Sequence, residues 1–153
     1  MTPIQKKAFQ ILQIFAQICD QLQLKYFLVC GSALGAVKYG GFVPWDDDVD
    51  VALFRDDYER FCREAPALLP EQFFLQNFRS DPEFPAIYSK LRNSRTTCIE
   101  ESVAALPINH GISLDIFPLD GYPKDKKEQE RLERKKAWFI RKLSIPCVRP
   151  ERW

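Results

Sequence analysis

Apolar residues at Ile4, Ala8, Ile11, Leu12, Phe15, Ile18, Cys19 and Leu22 recur at steps of three and four, the spacing of one helix face. The pattern predicts an amphipathic helix over residues 3–22, about five turns long. A short continuous apolar run at 26–30, bounded by Gly31, reads as a buried strand. Residues 32–38 predict a short helix that Gly40-Gly41 terminates. Residues 48–54 alternate acid and apolar at their start, as in a strand with two unlike faces. A helix is expected from near Asp56-Asp57 to Glu64, ahead of Pro66. Strands are expected at 73–78, 89–92 and 111–117, the last stopped by Pro118, and a final helix at 125–143, ended by Pro146 and Pro150. The mixture implies an α/β (α+β) domain with a mixed sheet and flanking helices.

The candidate chemistry lies where polar residues interrupt this pattern. Side chains two apart on an extended segment point the same way, so Asp48 and Asp50 project from one face and Val49 and Val51 enter the core. Two adjacent carboxylates repel unless a cation neutralises them, and oxygen-only ligands suit Mg²⁺ or Mn²⁺. A solvated acidic turn is the alternative, against which stands the apolar alternation through Val49, Val51 and Leu53. Asp115, between Leu114 and Ile116, repeats the arrangement on another strand, where an unpaired acid would be expensive to bury. If the two strands are neighbours, Asp115 completes a three-carboxylate site; otherwise it caps a turn. Gly31-Ser32, just past a buried strand, offers a tight turn whose N–H groups and hydroxyl can hold a phosphate.

Composition narrows the field. The chain has 153 residues, enough for one domain, and 46% hydrophobic with 28% charged residues excludes a disordered chain. Basic and acidic residues number 22 and 21, so no global field recommends nucleic acid. Residues 124–153 carry 11 basic and 5 acidic side chains, leaving 11 and 16 for residues 1–123. The basic end reads as a separate helical segment (124–153) facing solvent beyond a core at 1–123, within the same domain. The five cysteines form no paired spacing, and the N-terminus lacks a signal-peptide core, so reduced thiols and a cytoplasmic setting are expected. No apolar run approaches the roughly 20 residues of a membrane span. A calcium loop opening at Asp46 would need Gly and Glu where Val51 and Asp57 stand. No phosphate-binding Gly-x-x-x-x-Gly-Lys loop occurs, and the lone His110 has no nucleophile–base pattern around it.

A helix, a strand ending in Gly-Ser, an Asp-x-Asp strand and a later single-Asp strand together look like the nucleotidyltransferase fold. The string Gly31-Ser-Ala-Leu-Gly-Ala-Val-Lys-Tyr-Gly-Gly-Phe-Val-Pro-Trp-Asp-Asp-Asp-Val-Asp-Val-Ala52 resembles the LicD family of phosphocholine transferases and their fukutin-type relatives. Lys90-Leu-Arg-Asn-Ser-Arg-Thr-Thr97 and Gly111-Ile-Ser-Leu-Asp-Ile-Phe-Pro-Leu-Asp-Gly121 fit the same pattern. The resemblance implies transfer of a phosphoalcohol such as phosphocholine from a CDP-linked donor to a glycan hydroxyl at the cell surface. By that resemblance Asp48, Asp50 and Asp115 would bind Mg²⁺, Gly31 and Ser32 would hold donor phosphate, and Lys90, Arg92 and Arg95 would face the donor's pyrophosphate. Asp46 and Asp47 would orient the cluster or remove the acceptor proton, and Asp115 is a second candidate for the base.

Two other readings stay open. The same acids serve true nucleotidyl transfer, in which the nucleoside monophosphate moves, and a non-catalytic nucleotide-binding protein would keep them too. Members of the family continue well past the motif that ends at Gly121, whereas this chain stops at Trp153. A truncated paralogue, a fragment or an interrupted gene product is therefore expected. Trp138, Phe139 and Trp153 would then mark where further chain, a partner or a second copy packs.

Overall fold

The computed structural model describes residues 1–144. Helix α1 (Pro3–Gln21) starts at Thr2, whose side chain accepts from the Gln5 N–H while the Gln5 side chain returns to the Thr2 N–H. Its apolar face buries Ala8, Ile11, Phe15, Ile18 and Cys19. Strand β1 (Tyr26–Leu28) is shorter than its apolar run, because Val29 and Cys30 already turn into helix α2 (Cys30–Tyr39). That helix ends at Gly40, whose φ of 63° is the left-handed cap a glycine accepts without strain.

Strand β2 (Asp50–Phe54) runs directly into α3 (Arg55–Glu64), and β3 (Phe73–Gln76), β4 (Ser89–Asn93) and β5 (Ile112–Leu119) complete one sheet in the order β1-β2-β5-β4-β3. Only β2 and β5 are parallel; the other neighbours are antiparallel. The architecture is mixed α/β, as expected. Strand β3 stops at Gln76 because Asn77 opens a turn, its side-chain oxygen accepting from the Arg79 and Ser80 N–H groups.

Strand β5 runs through Pro118 instead of stopping before it. Strand β4 pairs with β5 only as far as Ser89 opposite Ile116, so beyond that point β5 has no neighbour on that side. The Asp115 N–H points toward β2, donating to the Val49 carbonyl, and by alternation position 118 faces the vacant side, where a missing N–H costs nothing.

The two faces of the sheet differ in chemistry. Val51, Leu53, Leu75, Leu91, Leu114 and Ile116 enter the core with α1 and α3. The alternate positions, Asp50, Asp115, Lys90, Arg92 and Gln76, lie on the opposite face. Helix α4 (Lys126–Ser144) follows, with Leu132, Trp138, Phe139 and Ile140 exposed; Trp153 lies outside the described residues. No helix among the described residues is long and apolar enough to cross a membrane. Cys19, Cys30, Cys62 and Cys98 are free thiols.

Candidate active site

Parallel pairing of β2 and β5 sets Asp50 directly opposite Asp115 in the register. Asp48 stands just before β2, beside the buried Val49 that fixes which way the segment faces. Asp47, Asp48, Asp115, Lys90, Arg92 and Glu100 line a cleft of about 410 Å³.

The acids crowd one another. Partial desolvation, the Asp50 charge and contact with the Asp46 carboxyl push Asp48 up from 3.8 to about 6. Burial and then the Asp115 and Asp46 charges raise Asp50, with Lys90 opposing. A carboxylate set that repels itself in this way has the chemistry a hard cation would relieve. Among the described residues, however, no three such side chains already stand at metal-holding spacing. The Asp115 carboxylate is instead held by Lys90 Nζ, at 2.8 Å from Oδ1 and 3.0 Å from Oδ2.

The first turn of α2 closes the other side. The Asp50 N–H donates to Ser32 Oγ at 2.9 Å, and the Val29 N–H donates to the Asp50 carbonyl at 3.1 Å, so strand and helix start are stitched together. The sharp entry comes from Cys30, whose φ of 49° is left-handed. Gly31 therefore serves for room rather than for torsion: a Cβ there would lie 2.3 Å from Asp46 Oδ2. First-turn N–H groups have no intrahelical partner and carry the positive end of the helix dipole.

Residues 23–143 match the family described as LicD/FKTN/FKRP, nucleotidyltransferase domain. The chain belongs to this family. It is 31% identical over 117 residues to the lipopolysaccharide cholinephosphotransferase LicD of Haemophilus influenzae, covering 76% of this chain and 43% of that protein. It is similar also to an uncharacterized protein of Rickettsia prowazekii, 34% identical over 122 residues, 77% of this chain and 42% of the relative. The human ribitol 5-phosphate transferase FKRP is 38% identical over 40 residues, 26% of this chain and 8% of that protein. The chain thus spans less than half the length of the curated relatives it matches.

The cations of this LicD-family chain divide three ways. Lys90 is opposite Asp115 on β4, 6% exposed, and also meets Glu100 Oε1 at 3.0 Å. Burial works most strongly against its charge, but the Asp115 carboxylate, Tyr88 and Glu100 together outweigh it and the pKa is raised. Arg92, 1% exposed, donates to the Gln76 side chain and to the Gly111 carbonyl at 2.7 Å, with Glu100 at 3.7 Å; burial lowers its pKa. Its guanidinium is thus engaged in tying β3 and the entry to β5 together. Arg95 is not brought to the acids. The turn in which the Thr96 N–H donates to the Asn93 carbonyl carries it away, to Glu71 at 3.7 Å.

Three contributors escaped the residue pattern. Gln5 is 3% exposed and donates to the Asp46 carbonyl at 2.7 Å and the Val43 carbonyl at 3.3 Å, fastening the acidic loop to α1. Glu100 bridges Lys90 and Arg92 from an otherwise irregular loop. Tyr88 lines the cleft with Lys90 Nζ 5.7 Å from its ring, and burial followed by the Asp115 charge pushes its hydroxyl up to about 12. Only the Thr2/Gln5 capping box had a signal in sequence, and that signal speaks of a helix start.

Proposed function

We propose that the chain carries the donor-binding and reacting centre of a phosphotransferase, which moves a phosphoalcohol such as phosphocholine or ribitol phosphate from a CDP-linked donor to a glycan hydroxyl. Family membership and the activities for which the relatives are named support the reaction class. The observation that carries the site is the register pairing of Asp50 with Asp115 beside Asp48.

In this reading Asp48, Asp50 and Asp115 supply the oxygen ligands of Mg²⁺ or Mn²⁺. When bound, such an ion neutralises the pyrophosphate and the departing CMP. The first-turn N–H groups at Gly31 and Ser32 bind donor phosphate at the positive end of α2. Lys90 restrains Asp115, so the proton of the acceptor hydroxyl goes to Asp46, whose carboxyl lies outside the ligand set. The acceptor oxygen forms a bond to the donor's β-phosphorus, the bond from that phosphorus to the bridging oxygen breaks, and CMP leaves with the electron pair. Such a reaction asks the protein mainly for positioning and charge compensation.

The test is a thermal-shift series on the full chain with CDP-choline, CDP-ribitol, CDP and CMP, each with and without Mg²⁺. A ligand bound to the native state raises its melting temperature by mass action. A Mg²⁺-dependent rise with CDP compounds is expected, and no rise with any of them overturns the donor assignment. Nucleotidyl transfer proper would use the same acids, and labelled CDP-choline separates the two: free CMP marks phosphoalcohol transfer, CMP on the acceptor marks the alternative.

A further inference from the structure

Arg95 and the outward face of α1 have no part in the acidic cleft, but they line another cleft, of about 450 Å³. Helix α1 supplies Lys7, Gln10, Gln13 and Gln17 to one wall, and Gln72, Asn93, Arg95 and Thr96 form the other. Ile14 and Phe73 line it as well, and both pack against the core. Between Ala8 and Cys19 the helix has no charged residue, and its exposed positions are Phe9 and the glutamines Gln10, Gln13 and Gln17. The polar face of a surface helix ordinarily carries charges. Here it carries neutral carboxamides, and all of them are turned to one cleft.

This cleft adjoins the acidic one along both walls. Ile4 lines the acidic cleft and Lys7 the carboxamide cleft, and residues three apart on a helix are surface neighbours. On the other wall Ile112 lines the acidic cleft. It is the register partner of Asn93, and its N–H donates to Thr96 Oγ1 at 2.9 Å. That wall is fixed by its own backbone. The Ser94 N–H donates to the Gln72 carbonyl at 2.8 Å, the Thr96 hydroxyl donates to the Asn93 carbonyl at 2.7 Å, and the Arg95 N–H donates to the Asn93 side chain at 3.1 Å. Arg95 is thereby held at the cleft. Its acidic neighbour Glu71, 3.7 Å away and 93% exposed, is a partner that water screens and an anion can displace.

We propose that the carboxamide cleft binds the acceptor as an anionic oligosaccharide, whose chain lies along α1 and whose end enters the acidic cleft. The assignment rests on reading the acids as the phosphotransferase centre. A sugar hydroxyl both donates and accepts hydrogen bonds. A carboxamide does both as well, whereas a carboxylate only accepts and an ammonium only donates. Lys7 and Arg95 supply charge-assisted hydrogen bonds to a carboxylate or phosphate on the sugar. Ile14 and Phe73 offer apolar surface to the C–H faces of the rings. From Lys7 to Gln17 the helix rises about 15 Å, the reach of a short oligosaccharide.

NMR titration of the isotope-labelled full chain reads the cleft directly, through the side-chain NH₂ signals of its glutamines. The probes are trigalacturonate and a hyaluronan tetrasaccharide, both anionic, and the neutral maltotriose. Saturable shifts of the Gln10, Gln13 and Gln17 signals are expected with an anionic probe, and weaker ones with maltotriose. Arg95→Gln should weaken the anionic probe ~10-fold, the size of a hydrogen bond to a charged group, and leave maltotriose unchanged. Gln13→Ala combined with Gln17→Ala changes only exposed side chains, so it should fold normally and bind every probe more weakly. No saturable shift of these signals with any probe overturns the proposal. So does undiminished binding in the double variant, or an unchanged anionic affinity in Arg95→Gln. CDP-choline thermal shifts with Mg²⁺ on the same proteins separate the two levels. A normal nucleotide shift without oligosaccharide binding removes only the cleft assignment. Oligosaccharide binding without a nucleotide shift in the wild type removes the phosphotransferase reading, and the acceptor role with it.

Discussion

Asp50 and Asp115, 65 positions apart in the chain, are direct register partners on adjacent parallel strands, and the Asp115 N–H reaches back to the Val49 carbonyl at 2.8 Å. Backbone pairing thus brings the two acids to one place before any side-chain contact is made. A parallel pair requires a long crossover, and here everything from α3 to β4 supplies it.

The first consequence concerns Asp50. Its N–H and carbonyl carry the stitching to Ser32 and Val29, and both are backbone groups that a substitution leaves in place. Asp50→Ala is expected to fold with an unchanged melting temperature in metal-free buffer. It is expected to lose metal-dependent turnover of CDP-choline. Wild-type-like turnover in this variant would remove Asp50 from the site.

Lys90 neutralises the carboxylate of Asp115, a residue only 9% exposed. Replacing it by methionine keeps the stem and removes the charge, leaving a buried acid without its partner. Breaking a buried pair from one side costs about 3–5 kcal/mol. Chemical denaturation of Lys90→Met should show a loss of that order at neutral pH. Lys90→Arg, which keeps the positive charge, should lose less. An equal loss in both variants would point to packing alone.

Gly31→Ala tests the crowding over the first turn of α2. The added Cβ would meet Asp46 Oδ2, the mobile end of a side chain, so the fold should accommodate it by moving that carboxyl. The expected result is stability within about 1 kcal/mol of wild type, as for substitutions away from the core, together with reduced turnover. A large stability loss would mean that Asp46 cannot yield.

The pH dependence follows from Asp48, pushed from 3.8 to about 6 by desolvation and by its acidic neighbours. A carboxyl with a raised folded pKa keeps its proton longer in the folded state. Its stabilising contribution is therefore complete below about pH 4 and is lost as pH rises through 6. Metal-free wild type should lose stability across that window relative to Asp48→Asn. Mg²⁺ binding, which needs the ionised carboxyl, should strengthen from about pH 5 to pH 7 and flatten above. Calorimetric titrations over this range check the point, and an affinity independent of pH would refute it.

Hydrophobic periodicity was enough to read α1, the core-facing Val49 and Val51 and the order of strands and helices, because burial of one face acts within each segment. The Asp-x-Asp spacing and Gly31-Ser32 were legible for the same reason: they are local. What lay outside reach was everything set by contacts between distant segments. Tertiary pairing decided that Asp115 meets Lys90 and that Arg92 is locked onto Gln76 and Gly111. It also turned Arg95 toward Glu71, and it made Gln5, a helix-capping residue by pattern, the clasp of the acidic loop. A charged side chain takes whichever partner the fold sets within reach, and one sequence position says nothing of that choice.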